Sequence, residues 1–67
     1  MATKGDRVRL IQPFNGLQRD SEGVVMDVTP FGLKVRFTHV PPNCTPLSPP
    51  ILKAAVPPNL LASDTQC

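Results

Sequence analysis

Residues 4–37 have the sequence KGDRVRLIQPFNGLQRDSEGVVMDVTPFGLKVRF, and this stretch decides the fold of the chain. It contains three short runs in which apolar and polar residues alternate. Alternation with a period of two sends successive side chains to opposite faces of a β-strand, so each run predicts a strand with one buried face. In the first run, residues 7–10, the predicted inward residues are Val8 and Leu10, and both arginines point outward.

The second and third runs, residues 23–28 and 33–37, predict a β-hairpin closed by a turn with the sequence TPFG. The predicted inward residues are Val24, Met26, Val28, Leu33, Val35 and Phe37, and the predicted outward residues are Val25, Asp27, Lys34 and Arg36. Pairing Val28 with Leu33 makes inward residues meet along the whole hairpin, with the further pairs Met26–Val35, Val24–Phe37, Asp27–Lys34 and Val25–Arg36. A slip of one residue would send the apolar set into solvent, so the pattern specifies this register.

Two glycines predict where the backbone bends. Asn15 and Gly16 form a tight-turn dipeptide, because both residues accept a positive φ. Gly23 lies at the start of the second strand, where glycine commonly marks a β-bulge or a sharp bend.

The composition changes after residue 40 within what is predicted to be one domain. Residues 1–40 are the predicted barrel core. Residues 41–50, PPNCTPLSPP, contain five of the nine prolines and predict an extended loop, because proline has no backbone N–H to give to a sheet. Residues 51–62 predict a closing strand and a turn, and residues 63–67 predict a frayed tail.

These elements predict an all-β fold, a small SH3-like barrel of about five short strands with a proline-rich C-terminal segment. The alternative is an incomplete three-stranded sheet with a disordered tail. At 67 residues the chain allows one domain with a small core.

Charge and composition narrow the class of partner. The net charge of +2 favours anionic partners mildly, and three Phe with no Tyr or Trp leave few aromatics for stacking on single-stranded nucleic acid. Cys44 and Cys67 are expected to be unpaired thiols of a cytoplasmic protein. No secretory signal is recognised at the N-terminus, and no apolar run reaches the ~20 residues that span a bilayer, so no membrane insertion is expected.

Part of this stretch resembles two families of small barrels. The segment KGDRVRLIQP at residues 4–13, the Gly23-Val24-Val25 step and the VRF at residues 35–37 resemble photosystem I subunit IV, the PsaE family. That resemblance implies an SH3-like barrel on the stromal or cytoplasmic face of a membrane complex, where the family helps to dock ferredoxin. The same stretch resembles KOW-type barrels, with Gln12 where their turn has glycine, and this implies contact with RNA or the ribosome.

Two sets of residues are candidate binding sites. The first is a basic strand face formed by Arg7, Arg9, Lys34 and Arg36, which would meet an acidic protein surface or a phosphate backbone; an ordinary solvated strand face explains it equally simply. The second is the loop after the first strand, where Phe14, Leu17 and Arg19 could project towards a partner. In the alternative, Phe14 and Leu17 simply cap the core.

The sequence predicts a non-catalytic protein-interaction module, an accessory docking subunit of a larger complex. The lone His39 has no neighbouring residues that suggest a relay, and no spacing of Cys and His suggests a zinc site, so neither an enzyme nor a cofactor is expected. A KOW-like RNA-binding module is one alternative. Another is a small oligomeric pore enzyme, because the GDRVR opening resembles type II dihydrofolate reductases, although their Val-Gln-Ile-Tyr pore segment is missing. The oligomeric state is left open.

Overall fold

The computed structural model describes residues 3–41 and 45–63. Its elements are five strands and one 3₁₀ turn, namely β1 (Arg7–Leu10), β2 (Glu22–Thr29), β3 (Gly32–Val40), β4 (Thr45–Val56), the 3₁₀ turn Pro58–Leu60 and β5 (Leu61–Ser63). The predicted all-β class and the number of strands are confirmed.

All strand pairs are antiparallel, and the strands lie in the order β4-β3-β2-β1-β5. The chain therefore runs as a meander through four strands and then returns, so that β5 pairs with β1. Within residues 3–41 and 45–63, β4 and β5 are the two edges of one sheet and do not pair with each other. The expected closed barrel is therefore an open, curved sheet, because its short last strand reaches β1 and not β4.

The third strand behaves as its alternation predicts. Leu33, Val35 and Phe37 are buried, whereas Lys34 and Arg36 are exposed. The core is completed by Val8 and Leu10 of β1, Leu17 of the loop that follows, Val25 of β2 and Val56 of β4. Leu61 of β5 packs against this core from one side.

The predicted inner face of β2 is wrong: of its three predicted inward residues, Val24 is half-buried and Met26 and Val28 are exposed. Val28 pairs with Leu33 and Asp27 with Lys34, as predicted, but the ladder then shifts, and Val25 pairs with Val35. Met26 is the extra residue of a β-bulge, so every residue before it changes face. Val25 is consequently buried, and Val24 and Met26 are not.

Gly23 lies at a second irregularity of the β2–β3 ladder, between Glu22 and Gly23, as its position predicted. A Cβ atom at this residue would lie 2.4 Å from the carbonyl oxygen of Arg36. The two backbones approach so closely that no side chain fits between them.

The proline-rich segment differs from the prediction. Residues 45–50, expected in a loop, form the first half of β4, where Thr45 pairs with Val40 and Pro46 with His39. Proline is tolerated here because β4 is an edge strand, whose second side needs no ladder hydrogen bonds. Two parts of the prediction lie outside the described residues, namely residues 42–44 of the predicted loop and residues 64–67 of the predicted tail. The predicted closing strand and turn correspond to the second half of β4 and the 3₁₀ turn.

The tip of the β2–β3 hairpin is the two-residue turn at Pro30 and Phe31, with Thr29 paired to Gly32. The Thr29 hydroxyl donates to the Gly32 carbonyl oxygen at 2.7 Å. Gly32 has a φ of +143°, and a Cβ atom there would lie 2.7 Å from the carbonyl carbon of Ala55. The tip is therefore fixed against the end of β4 by close backbone contact.

Candidate functional site

The outer side of the sheet carries three exposed cations. Arg7 on β1 lies in register with Val24 on β2, which lies in register with Arg36 on β3. Residues in register project to the same face, and neighbouring strands are roughly 4.8 Å apart, so the Cα atoms of the two arginines are roughly 10 Å apart if the sheet is locally flat. Lys34 lies two residues from Arg36 on the same face. We call Arg7, Lys34 and Arg36 the outer basic face.

Asp27 moderates the charge of this face. It lies opposite Lys34 in the ladder, and its carboxylate accepts a hydrogen bond of 2.9 Å from the backbone N–H of Val28. Both Asp27 and Lys34 are exposed, so their attraction is weakened by water and salt. Arg36 has no such acidic residue opposite it in the ladder, since its register partners are Val24 and Leu52.

Apolar side chains lie among the cations on the outer side. Leu52 on β4 is in register with Arg36 and is 53% exposed. Met26, which the bulge turns out of the core, is also exposed on the neighbouring strand. Exposed apolar groups beside cations can be desolvated by a partner, which a uniformly charged strand face does not offer. The sequence pattern missed both residues because it assigned Met26 to the core and made no assignment for Leu52.

Arg9, the fourth residue of the predicted basic face, has a different environment. Its guanidinium Nη1 donates to Asp20 Oδ1 at 2.8 Å, and the two side chains are 30% and 46% exposed. Glu22, directly opposite Arg9 in the ladder, is buried. Arg9 is therefore paired with Asp20 within the molecule, and we leave it out of the outer basic face. The pairing could not be predicted, because Asp20 is brought back to β1 by the turn that precedes β2.

The predicted loop site is mostly part of the core. Phe14 and Leu17 exchange two backbone hydrogen bonds of 3.0 and 2.8 Å around Asn15 and Gly16, both of which have positive φ as predicted. Leu17 is buried and Phe14 packs partly against the core, so they cap the core, and the prediction that Leu17 projects to a partner is wrong. Arg19 is exposed, with its Nε 4.0 Å from Asp20 Oδ1.

A concave surface that is absent from the sequence-based prediction lies at the hairpin tip. It is an apolar groove of about 380 Å³ between the tip and the segment before β5, and its lining residues are Val28, Thr29, Pro30, Phe31, Gly32, Leu33, Pro57 and Pro58. Phe31 is 85% exposed, and Val28 is 51% exposed. We call this surface the tip groove. Phe31 lies between proline and glycine in a tight turn, where no strand face can bury a large aromatic side chain. This sequence signal could have revealed the exposed Phe31.

Ligand-binding chemistry is sparse in the part of the chain that the structure covers. Among residues 3–41 and 45–63 no three His, Cys, Asp or Glu side chains are grouped so that they could hold a metal ion. His39 is half-buried, and its Nδ1 lies 2.9 Å from the hydroxyl of Thr38. No helix in these residues has the length and apolarity required to cross a bilayer.

Comparisons with protein families, with curated proteins and with solved structures give no match to this chain.

Proposed function

We propose that this protein is a non-catalytic docking module, an accessory part of a larger assembly, and that its outer basic face binds an acidic protein surface. The observation that supports this most directly is the exposure of Arg36 and Lys34 on β3, beside the exposed Leu52. Cations give long-range attraction and orientation, and a neighbouring apolar side chain gives area that a partner can cover. The proposed location is the cytoplasm, or the cytoplasmic or stromal face of a membrane complex.

The rigidity of the β2–β3 hairpin supports the same proposal. Arg36 extends from the strand position where Gly23 brings the two backbones into contact, and the neighbouring residues Val35 and Phe37 are buried. Its Cα position is therefore fixed, and only the side chain must be ordered when a partner binds. A preorganised surface loses less conformational entropy on association than a flexible loop does.

The test is the double charge reversal Lys34→Glu with Arg36→Glu, measured on a partner captured from the native source and identified. We expect the association rate constant to fall by about tenfold or more, and its dependence on salt to become weaker, because steering by charge is lost. The matched control is Lys4→Glu with Arg19→Glu, which changes the net charge by the same amount at exposed positions off this face.

Two outcomes would contradict the proposal. One is an unchanged association rate constant after the reversal on β3. The other is an equal loss in the control, which would mean that net charge alone matters. Binding of the purified chain to RNA at low salt, lost with the β3 reversal and retained in the control, would instead favour the KOW-like alternative.

A further inference from the structure

The tip groove has the properties of an interface that the outer basic face lacks. None of its eight lining residues is charged, and they include three prolines and one aromatic residue. Its most exposed member, Phe31, forms one wall of the groove and also protrudes from it. Burying a phenylalanine removes roughly 150–250 Å² from water, so leaving this side chain exposed forgoes a substantial hydrophobic contribution.

A protruding side chain next to a groove makes a self-complementary patch, which is what a two-fold symmetric interface uses. In such an interface the same patch contacts itself, so each copy must provide both the inserted group and the surface that receives it. We propose that the tip groove binds a second copy of this chain, with Phe31 of each copy packed against Val28, Pro57 and Pro58 of the other.

Charge favours a second copy at this place more than elsewhere on the molecule. Each chain carries a net charge of +2, so two copies repel one another. Contact through the outer basic face would bring like charges together, which opposes association. Contact through the tip groove brings together surfaces without charged lining residues. Lys34 and Arg36 project from the opposite side of β3 to the buried Leu33 that lines the groove, so they remain exposed in the dimer.

The surface area that the dimer would bury indicates a weak interface. Two Phe31 side chains bury roughly 300–500 Å², and the groove surfaces that they cover add about as much again. The total, roughly 600–1,000 Å², lies below the roughly 1,200–2,000 Å² of a standard stable interface. We therefore expect a weak, reversible dimer with a dissociation constant between about 10 µM and 1 mM.

The backbone at the tip is held in place before association. The hydroxyl of Thr29 bonds to Gly32, and Gly32 contacts Ala55, so the tip and the end of β4 form one unit. Dimerisation would join two outer basic faces in one particle. Two linked faces on the same assembly raise the effective concentration of the second contact, which strengthens docking without a new type of contact.

The test is analytical ultracentrifugation of the purified chain from about 10 µM to about 1 mM, in a reducing buffer so that no disulfide joins Cys44 or Cys67 between chains. We expect the weight-average mass to rise with concentration. Phe31→Ser should weaken association by about tenfold or more, and circular dichroism should show an unchanged fold, because Phe31 is exposed. The matched control is Ile11→Ser, an exposed apolar residue outside the groove, which should leave association unchanged.

A photo-crosslinking amino acid in place of Phe31 identifies the contacted surface. We expect dimers in which residue 31 of one chain is joined to the peptide that contains Pro57 and Pro58 of the other. A monomer at every concentration would overturn the proposal. So would equal weakening by Ile11→Ser, or crosslinks that lie only outside the tip groove.

Discussion

The two ends of the β2–β3 hairpin differ in which side chains they bury and which they expose. At the open end, where Glu22 pairs with His39, the polar residues Ser21 and Glu22 are buried. At the tip the apolar residues Val28 and Phe31 are exposed. This reverses the usual preference of polar and apolar side chains. Along β3 the alternation of residue types decides burial, whereas at the two ends of β2 the segments that cover each end decide it.

The covering segments differ in number and in chemistry. The open end is covered by β1 and the turn before β2, which supply hydrogen-bonding groups: the Ser21 hydroxyl donates to the carbonyl oxygen of Gln18 at 2.7 Å. The tip is approached by Ala55 at the end of β4 and by Pro57 and Pro58, and Phe31 stays exposed beside them. A buried polar group must find partners, and an exposed apolar group invites a partner from outside.

The largest expected effect is the difference in the free energy of unfolding between two truncations, one of a phenylalanine near each end of the hairpin. Phe37→Ala removes a fully buried ring and should lower the free energy of unfolding by about 3–5 kcal/mol, a large part of the total for a domain of this size. Phe31→Ala at the tip should change it by less than about 0.5 kcal/mol in dilute solution. Urea denaturation followed by circular dichroism measures both. Similar losses for the two variants would mean that the tip is also covered.

A smaller difference is expected between two valines of β2. Val25→Ala removes a buried side chain beside the bulge and should cost about 2 kcal/mol, whereas Val28→Ala at the exposed tip should cost less than about 0.5 kcal/mol. The same denaturation experiment compares them. A larger loss for Val28→Ala than for Val25→Ala would contradict the bulge at Met26 and support a regular strand.

The smallest effect concerns the ion pair near the open end. Because Arg9 and Asp20 are both partly exposed, a double-mutant cycle with Arg9→Met and Asp20→Asn should give a coupling free energy below about 1 kcal/mol. The coupling should fall as sodium chloride is added. A coupling that exceeds this value and does not respond to salt would place the pair in a much drier environment than its exposure indicates.

The sequence predicts β3 and the hairpin turn well because local alternation decides them. It fails at β2 because Val24, Val25 and Met26 are three apolar residues in a row, so nothing in the pattern shows which residue is the extra one. The bulge is decided by the close approach at Gly23 and by packing of Val25 against Val35, which are interactions between strands. The prolines of residues 45–50 were assigned to a loop for a similar reason: only the sheet order makes β4 an edge strand.

In the candidate site, too, the sequence predicts what local alternation decides and misses what contacts between distant segments decide. Lys34 and Arg36 are exposed as predicted, because their strand keeps its alternation. Arg9 follows the same alternation as Arg7, yet its guanidinium bonds to Asp20, which lies in a turn eleven residues further along the chain. The tip groove combines β2, β3 and the segment before β5, and no local pattern connects residues 28–33 with residues 57–58.

The three prolines in the first half of β4 also affect how the chain meets other chains. An exposed strand edge is a template on which a foreign strand can pair and begin aggregation. Pro46, Pro49 and Pro50 have no amide hydrogen to donate to an incoming strand, and the positive φ of Ala55, +57°, interrupts the regular geometry of the second half. The edge formed by β4 is therefore a poor template for pairing with strands of neighbouring copies, which matters for a module that is held at high local concentration in an assembly.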